Sequence, residues 1–235
     1  MIKLETHCHI KGFSPCGDGD LSLTVKKYKE SGYKAITVTN HFSKNYYDEF
    51  YQGKTDREKI DYFFNTYDTF SALCKKDGIK TFFGLEVRCL PTNTEYMLLG
   101  FDRAFLYDNS HLFDLSQEEL FALADKNGIL MYQTHPFRTG VKVGNPKFMH
   151  GAEIFNGHYH HDNQNFLAEK FCKENNLIGI SGTDYHHDDQ PITAGAFIPD
   201  DINDETALAK YYFNNQFTNV TNFELYEKSF KEHKK

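Results

Sequence analysis

The chain has 235 residues and a formal net charge of −7, room for one large domain or two small ones. Its 40% hydrophobic, 16% aromatic and 25% charged content describes a soluble globular protein with a core. The acidic balance argues against a nucleic-acid backbone as the main partner, and no apolar run approaches a bilayer span.

Residues 2–6 read as a strand, followed by a Gly-rich loop and a helix over 23–31 that stops at Gly32, where a left-handed cap suits glycine. Residues 34–39 alternate and are β-branched, a second strand. The stretch 45–56, rich in Tyr, Asn and Asp, reads as a rim or lid loop. Apolar residues recur with helical period over 56–76, from Ile60 and Phe63 through Phe70 to Cys74. Strands follow at 81–87 and 95–101, then a helix over 117–126 with Ser116 and Glu119 as its capping box. Strands at 129–133 and 152–155, a helix at 164–175, strands at 178–181 and 194–198 and a helix at 204–214 complete the series. Strand, crossover helix, strand implies a parallel sheet or barrel. No linker or repeat interrupts it, so residues 1–235 are expected to form one domain with a fraying charged tail at 227–235. The opening residues lack a secretory pattern, and five cysteines without paired spacing read as reduced thiols, which points to the cytoplasm.

Polar residues of one kind fall at the strand ends. His7 and His9 follow the first strand, His41 the second, Glu86 ends the third, His135 follows a fourth, and Asp184 and His186 follow another. In a parallel barrel these ends share one face, where active sites form. In extended chain, residues i and i+2 point the same way, so His7 and His9 can grip one ion. Imidazoles suit Zn²⁺, Fe²⁺ or Mn²⁺, and carboxylates from Glu86 and Asp184 shift the preference toward harder ions. His111, His150 and His233 read as solvated surface, Asp18-Gly19-Asp20 as a turn, and His158, His160, His161 and His187 as further shell, substrate contacts or surface.

His7-Cys8-His9, Thr39-Asn40-His41, Gly84-Leu85-Glu86, Thr134-His135-Pro136-Phe137-Arg138, Glu153-Ile154-Phe155-Asn156-Gly157 and Gly182-Thr183-Asp184-Tyr185-His186 appear in an order that resembles the PHP (polymerase and histidinol phosphatase) family of metal-dependent phosphoesterases. The resemblance implies an α/β fold, a distorted (β/α)7 barrel, holding two or three divalent ions (Zn, Fe or Mn). It implies a first ion on His7, His9, Glu86 and Asp184, with Glu86 bridging to a second ion on His135. A third ion would take His41, His186 and Cys16, with Asp18 competing for the place of Cys16. Two departures stand out. Asn40 replaces the usual aspartate, and Met97 occupies the place of a histidine in the family's His-x-Leu-Gly strand, which leaves the second ion to Asp102 or water.

The expected chemistry is hydrolysis of a small phosphomonoester by a metal-bound hydroxide, the ions lowering the pKa of bound water to about 7. Arg138 is the expected phosphate fork, with Arg88 as a second substrate contact and Asp184 and Arg138 as the catalytic candidates. The partner is then a small phosphorylated molecule, with neither membrane nor nucleic acid involved; the sequence carries no sign of oligomeric state. A non-catalytic module that keeps metals for stability, in a binding or regulatory role, is the alternative.

Overall fold

The first strand, β1 (Ile2–Cys8), feeds α1 (Leu21–Glu30), whose first turn is capped by Asp20 accepting from Leu23 N. The computed structural model describes residues 1–13, 16–89, 92, 94–214 and 217–234. β2 (Ala35–Val38) and the two-residue β3 (His41–Phe42) follow, then a wide helical turn at Tyr46–Phe50 and the long α2 (Asp56–Lys76). Thr55 and Glu58 form a reciprocal capping box at its start. β4 (Lys80–Cys89) and β5 (Thr94–Leu99) are joined too closely for a crossover, so they pair antiparallel.

Next come α3 (Arg103–Asp108), α4 (Gln117–Lys126), β6 (Leu130–Gln133), β7 (Gly151–Asn156), α5 (Asn165–Asn175) and β8 (Ile178–Gly182). The box expected at Ser116 and Glu119 is present. β9 (Ala194–Ile198), α6 (Glu205–Phe213), β10 (Thr218–Thr221) and α7 (Phe223–His233) end the described chain. The tail expected to fray is helical through His233. Tyr226 is buried there among Phe155, Tyr159 and Ala194, with Phe230 packed against them.

The strands form one sheet in the order β10-β9-β1-β2-β4-β5-β6-β7-β8, with β3 alongside β4. β1, β2, β4 and β6, β7, β8 run parallel within their groups, while β5 and β9 are antiparallel insertions. β8 returns to β1 and nearly closes the sheet into a barrel. Thr6 Oγ1 donates to Ser181 O at 2.5 Å, and His9 N donates to Tyr185 O at 2.8 Å. Gly182 permits this approach, since a Cβ there would lie 2.5 Å from His7 Cβ.

Alternation sorts the core into two layers. Val38, Leu85 and Leu98 pack outward against Phe63, Phe64 and Phe70 of α2, each such ring contributing about 1.5–3 kcal/mol on burial. Leu4, Phe82, Met97, Leu99, Leu130 and Tyr132 form the inner cluster, against which α6 packs Leu208 and Tyr212. Glu86 shares the strand parity of Phe82, and Glu95 that of Met97, so both carboxylates stand above the inner cluster.

Candidate metal centre

A break in the register of β1 between Glu5 and Cys8 turns His7 and His9 toward one pocket, where their Nε2 atoms lie 3.0 Å apart. Both face Asp184 Oδ1 at 3.3 Å and Glu86 at 3.6 and 3.4 Å. His41, on β3, brings Nδ1 to 2.7 Å from Glu86 Oε2, and His135 brings Nε2 to 3.2 Å from Glu86 Oε1. His186 stacks on His9 with centroids 4.1 Å apart. His9, Cys16, His41 and His186 offer ligand atoms all within 4.8 Å of one another, as do His7, His9 and Asp184. All the metal ligands expected from the sequence thus meet at one barrel mouth. Asp18 points elsewhere, to the His187 ring at 2.7 Å.

Two of these expected ligands sit in strained backbone. His135 has φ 30° and Asp184 φ 55°, left-handed conformations rare outside glycine and characteristic of functional sites. A network of hydrogen bonds holds them there. Glu153 Oε1 lies 2.7 Å from His7 Nδ1, and its Oε2 accepts from His135 N at 2.8 Å and Asn156 Nδ2 at 2.9 Å. Fixing the far ring nitrogen in this way orients a ligating histidine and sets its tautomer. Asn40, which stands in place of the usual aspartate, accepts from Ile10 N at 2.7 Å and so ties down the loop after β1.

The residues fit divalent cations. Glu86 is fully buried, and neither of its oxygens has a hydrogen bond among the described residues. The same holds for His9 Nδ1, His41 Nδ1 and His135 Nδ1. Burial favours a protonated Glu86, yet His41 and His7 outweigh it and hold the carboxyl well below the usual range. Burial likewise works against charge on His7, but Asp184, Glu153 and Glu86 together raise it well above an ordinary imidazole. Burial and His41 lower His9 to about 4. A buried set of imidazoles and carboxylates this dense requires compensating positive charge, which cations supply.

Three of the expected side chains have protein partners of their own. Arg138 spends its fork on the protein: Nη2 donates to Asp184 Oδ2 at 2.6 Å and Asn156 Oδ1 at 3.0 Å, and Nε to Asn163 Oδ1 at 2.8 Å. Arg88, expected on substrate, donates Nε and Nη2 to Glu95 Oε1 at 2.9 and 2.6 Å. Asp102 caps α3 by accepting from Phe105 N at 2.9 Å, so it does not stand in for the missing histidine. Glu95, which the sequence reading passed over, reaches the pocket instead, 3.5 Å from His135 and 3.4 Å from His41. Of the outlying histidines, His158 is buried and stacks on His186 at 5.0 Å. His150 is no solvated ring either, because its Nδ1 accepts from Met131 N at 3.0 Å.

A PHP domain family model matches residues 5–226. The chain belongs to the PHP domain family. Members of this family are metal-dependent phosphoester hydrolases, and the barrel described above is their fold. A two-domain Bacteroides vulgatus protein containing a predicted PHP-like metal-dependent phosphoesterase is 19% identical at a TM-score of 0.61, covering 99% of this chain and 69% of that one. PsfC from Pseudomonas syringae is 15% identical at 0.65, covering 98% and 97%. The lesion-specific endonuclease PfuEndoQ from Pyrococcus furiosus is 10% identical at 0.54, covering 91% and 56%. No curated protein matches the chain. Among the described residues no helix is long and apolar enough to cross a membrane.

Proposed function

We propose that this PHP domain is a phosphatase acting on small phosphomonoesters, with the whole chain as one barrel unit. The observation that carries the reading is the convergence of ligands from separate strands on Glu86, each almost out of solvent. His7 and Glu86 are 0% exposed, Asp184 1%, His186 7% and His41 8%. Ligand side chains so little exposed favour a terminal phosphate over an internal phosphodiester, which would bring chain on both sides to the site. The net charge of −7 also disfavours long polyanions.

In this reading His7, His9, Glu86 and Asp184 hold one ion, Glu86 and His135 a second, and His41, His186 and Cys16 a third. Bound divalent cations supply Lewis-acid polarisation of the phosphoryl group and an activated water at neutral pH. The side chains do the rest. Glu153 fixes the His7 ring and the strained backbone of His135, and Asn156 links Glu153 to Asp184. Arg138 is a positioning residue that aims Asp184. His158, lowered to about 2 mainly by burial, stays neutral beside His186.

The test is turnover of p-nitrophenyl phosphate against bis(p-nitrophenyl) phosphate after loading with Mn²⁺, Zn²⁺ or Fe²⁺. We expect the monoester to be favoured and His9→Ala and Asp184→Ala each to abolish turnover with the fold retained. Preference for the diester refutes the substrate class. A loaded protein inert toward both, across all three metals, favours the non-catalytic module.

A further inference from the structure

We propose that Glu95 is a metal ligand of the second position and that Arg88 selects which of its oxygens binds, so that one pocket sorts hard cations from soft ones. The inference rests on the metal-dependent reading above but not on the choice of substrate.

Glu95 is 4% exposed at the start of β5, and with His41 and Glu86 it forms a set whose ligand atoms lie within 4.8 Å of one another. Two buried carboxylates at that separation repel strongly in a dry pocket unless a cation lies between them. Arg88 supplies one fixed charge, but on one side only. Both of its donors, Nε at 2.9 Å and Nη2 at 2.6 Å, converge on Oε1 instead of spanning the carboxylate. Oε2 is left facing His135 Nε2 at 3.5 Å, on the side where Glu86 Oε1 stands 3.2 Å from the same nitrogen. His135 Nε2 thus lies within 3.5 Å of one oxygen from each of Glu86 and Glu95, and His41 Nδ1 within 3.4 Å of the other oxygen of each. Met97, directly opposite Glu86 in the sheet register, fills the inner core and takes no part.

The neighbouring set is chemically different. His9, Cys16, His41 and His186 combine a sulfur with imidazoles. Thiolate and imidazole suit Zn²⁺, while carboxylate-rich sets suit Mn²⁺. A zinc ion at the cysteine set and manganese at the Glu95 set is the expected loading when zinc is limited to one equivalent and manganese is in excess.

The experiment uses the full chain stripped with a chelator and reloaded in that mixture. Bound metals are counted by elemental analysis, manganese affinity is read from the resonance of free Mn²⁺, and Co²⁺ substitution reports thiolate ligation through its near-ultraviolet charge-transfer band. Glu95→Gln is expected to weaken one manganese site at least tenfold, and Arg88→Ala to weaken the same site about 10–100-fold, as removal of a ligand's hydrogen-bond partner does. Both should keep the cobalt–thiolate band. Cys16→Ser should lose the band and keep the manganese isotherm. The Arg88 side chain is 32% exposed, so Arg88→Ala decides the matter if Glu95→Gln fails to fold. A manganese isotherm in Arg88→Ala that superimposes on wild type overturns the proposal, as does a thiolate band that survives Cys16→Ser. A protein that sorts metals as described yet turns over neither phosphate ester overturns the proposed function and leaves this inference standing.

Discussion

Replacing Glu5 with alanine tests what aims His7 into the pocket. Glu5 is 0% exposed, and its Oε1 accepts from Thr6 N, His7 N and Thr183 N, each at 2.9 Å, while Oε2 accepts from Tyr28 Oη at 3.1 Å. Two of those N–H groups lie at the register break of β1, and the third belongs to the segment that closes the barrel. A buried donor left unpaired costs about 1–3 kcal/mol, so losing the acceptor of three N–H groups should make Glu5→Ala destabilising by roughly 3–9 kcal/mol, a large part of the ~5–15 kcal/mol of a typical domain. Glu5→Gln retains an accepting oxygen and should cost about 1 kcal/mol.

The pH dependence carries a second signature of the same residue. Burial raises the Glu5 carboxyl to about 7, although its hydrogen bonds to Thr183 and His7 pull the other way. The folded state therefore binds this proton more tightly than the unfolded chain does. The resulting stabilisation is complete below the ordinary value of 4.5 and is lost as pH rises through about 7. Going from pH 5 to pH 8, wild type should lose on the order of 2 kcal/mol relative to Glu5→Gln. Urea unfolding of the chelator-treated proteins, followed by circular dichroism, measures both effects. A Glu5→Ala protein within about 1 kcal/mol of wild type, or a glutamine variant as damaged as the alanine one, would refute the reasoning.

Glu153→Gln keeps the shape of the side chain but removes the charge beside His7 Nδ1, and should weaken metal binding about 10–100-fold in a chelator competition; an unchanged affinity would show that the His7 tautomer is fixed by other means. Arg138→Ala removes a charged hydrogen bond from Asp184 worth about 1.5–3 kcal/mol. Because the fork grips a proposed ligand, the loss should fall on metal content and kcat. A raised KM with full metal content would restore Arg138 as a substrate contact. Gly182→Ala places a Cβ against His7 and Glu153 Oε1 and should cost about 1–3 kcal/mol through overpacking, with loss of metal from the same pocket as the accompanying readout.

Most of the site was legible in the sequence because parallel strands share a direction. Once His7, His41, Glu86, His135 and Asp184 are placed at or just beyond carboxyl ends, the barrel gathers them whatever their separation along the chain. That same rule hid Glu95. β5 is antiparallel, so its amino end lies at the mouth, and a donor there stands at the start of a strand instead of its finish. The clue was present in the short link between Cys89 and Thr94, too brief for a crossover, and in the two-residue spacing that puts Glu95 on the same face as Met97. The tail, expected to fray, held a similar unread clue, since Phe223, Tyr226 and Phe230 are spaced along one helical face.

The partners of the two arginines were hidden for a different reason, one that no local pattern encodes. A guanidinium near a phosphate site looks like a substrate fork when only its chain neighbours are known. Tertiary packing, however, brings Asp184 beside Arg138 and Glu95 beside Arg88, at 2.6 Å in each case. A carboxylate taken out of water without a partner costs far more than an arginine left waiting in solvent. Both guanidinium groups are therefore paired with the protein's own acids, and in the proposed reading a phosphate would be recognised chiefly by the cations those acids would hold.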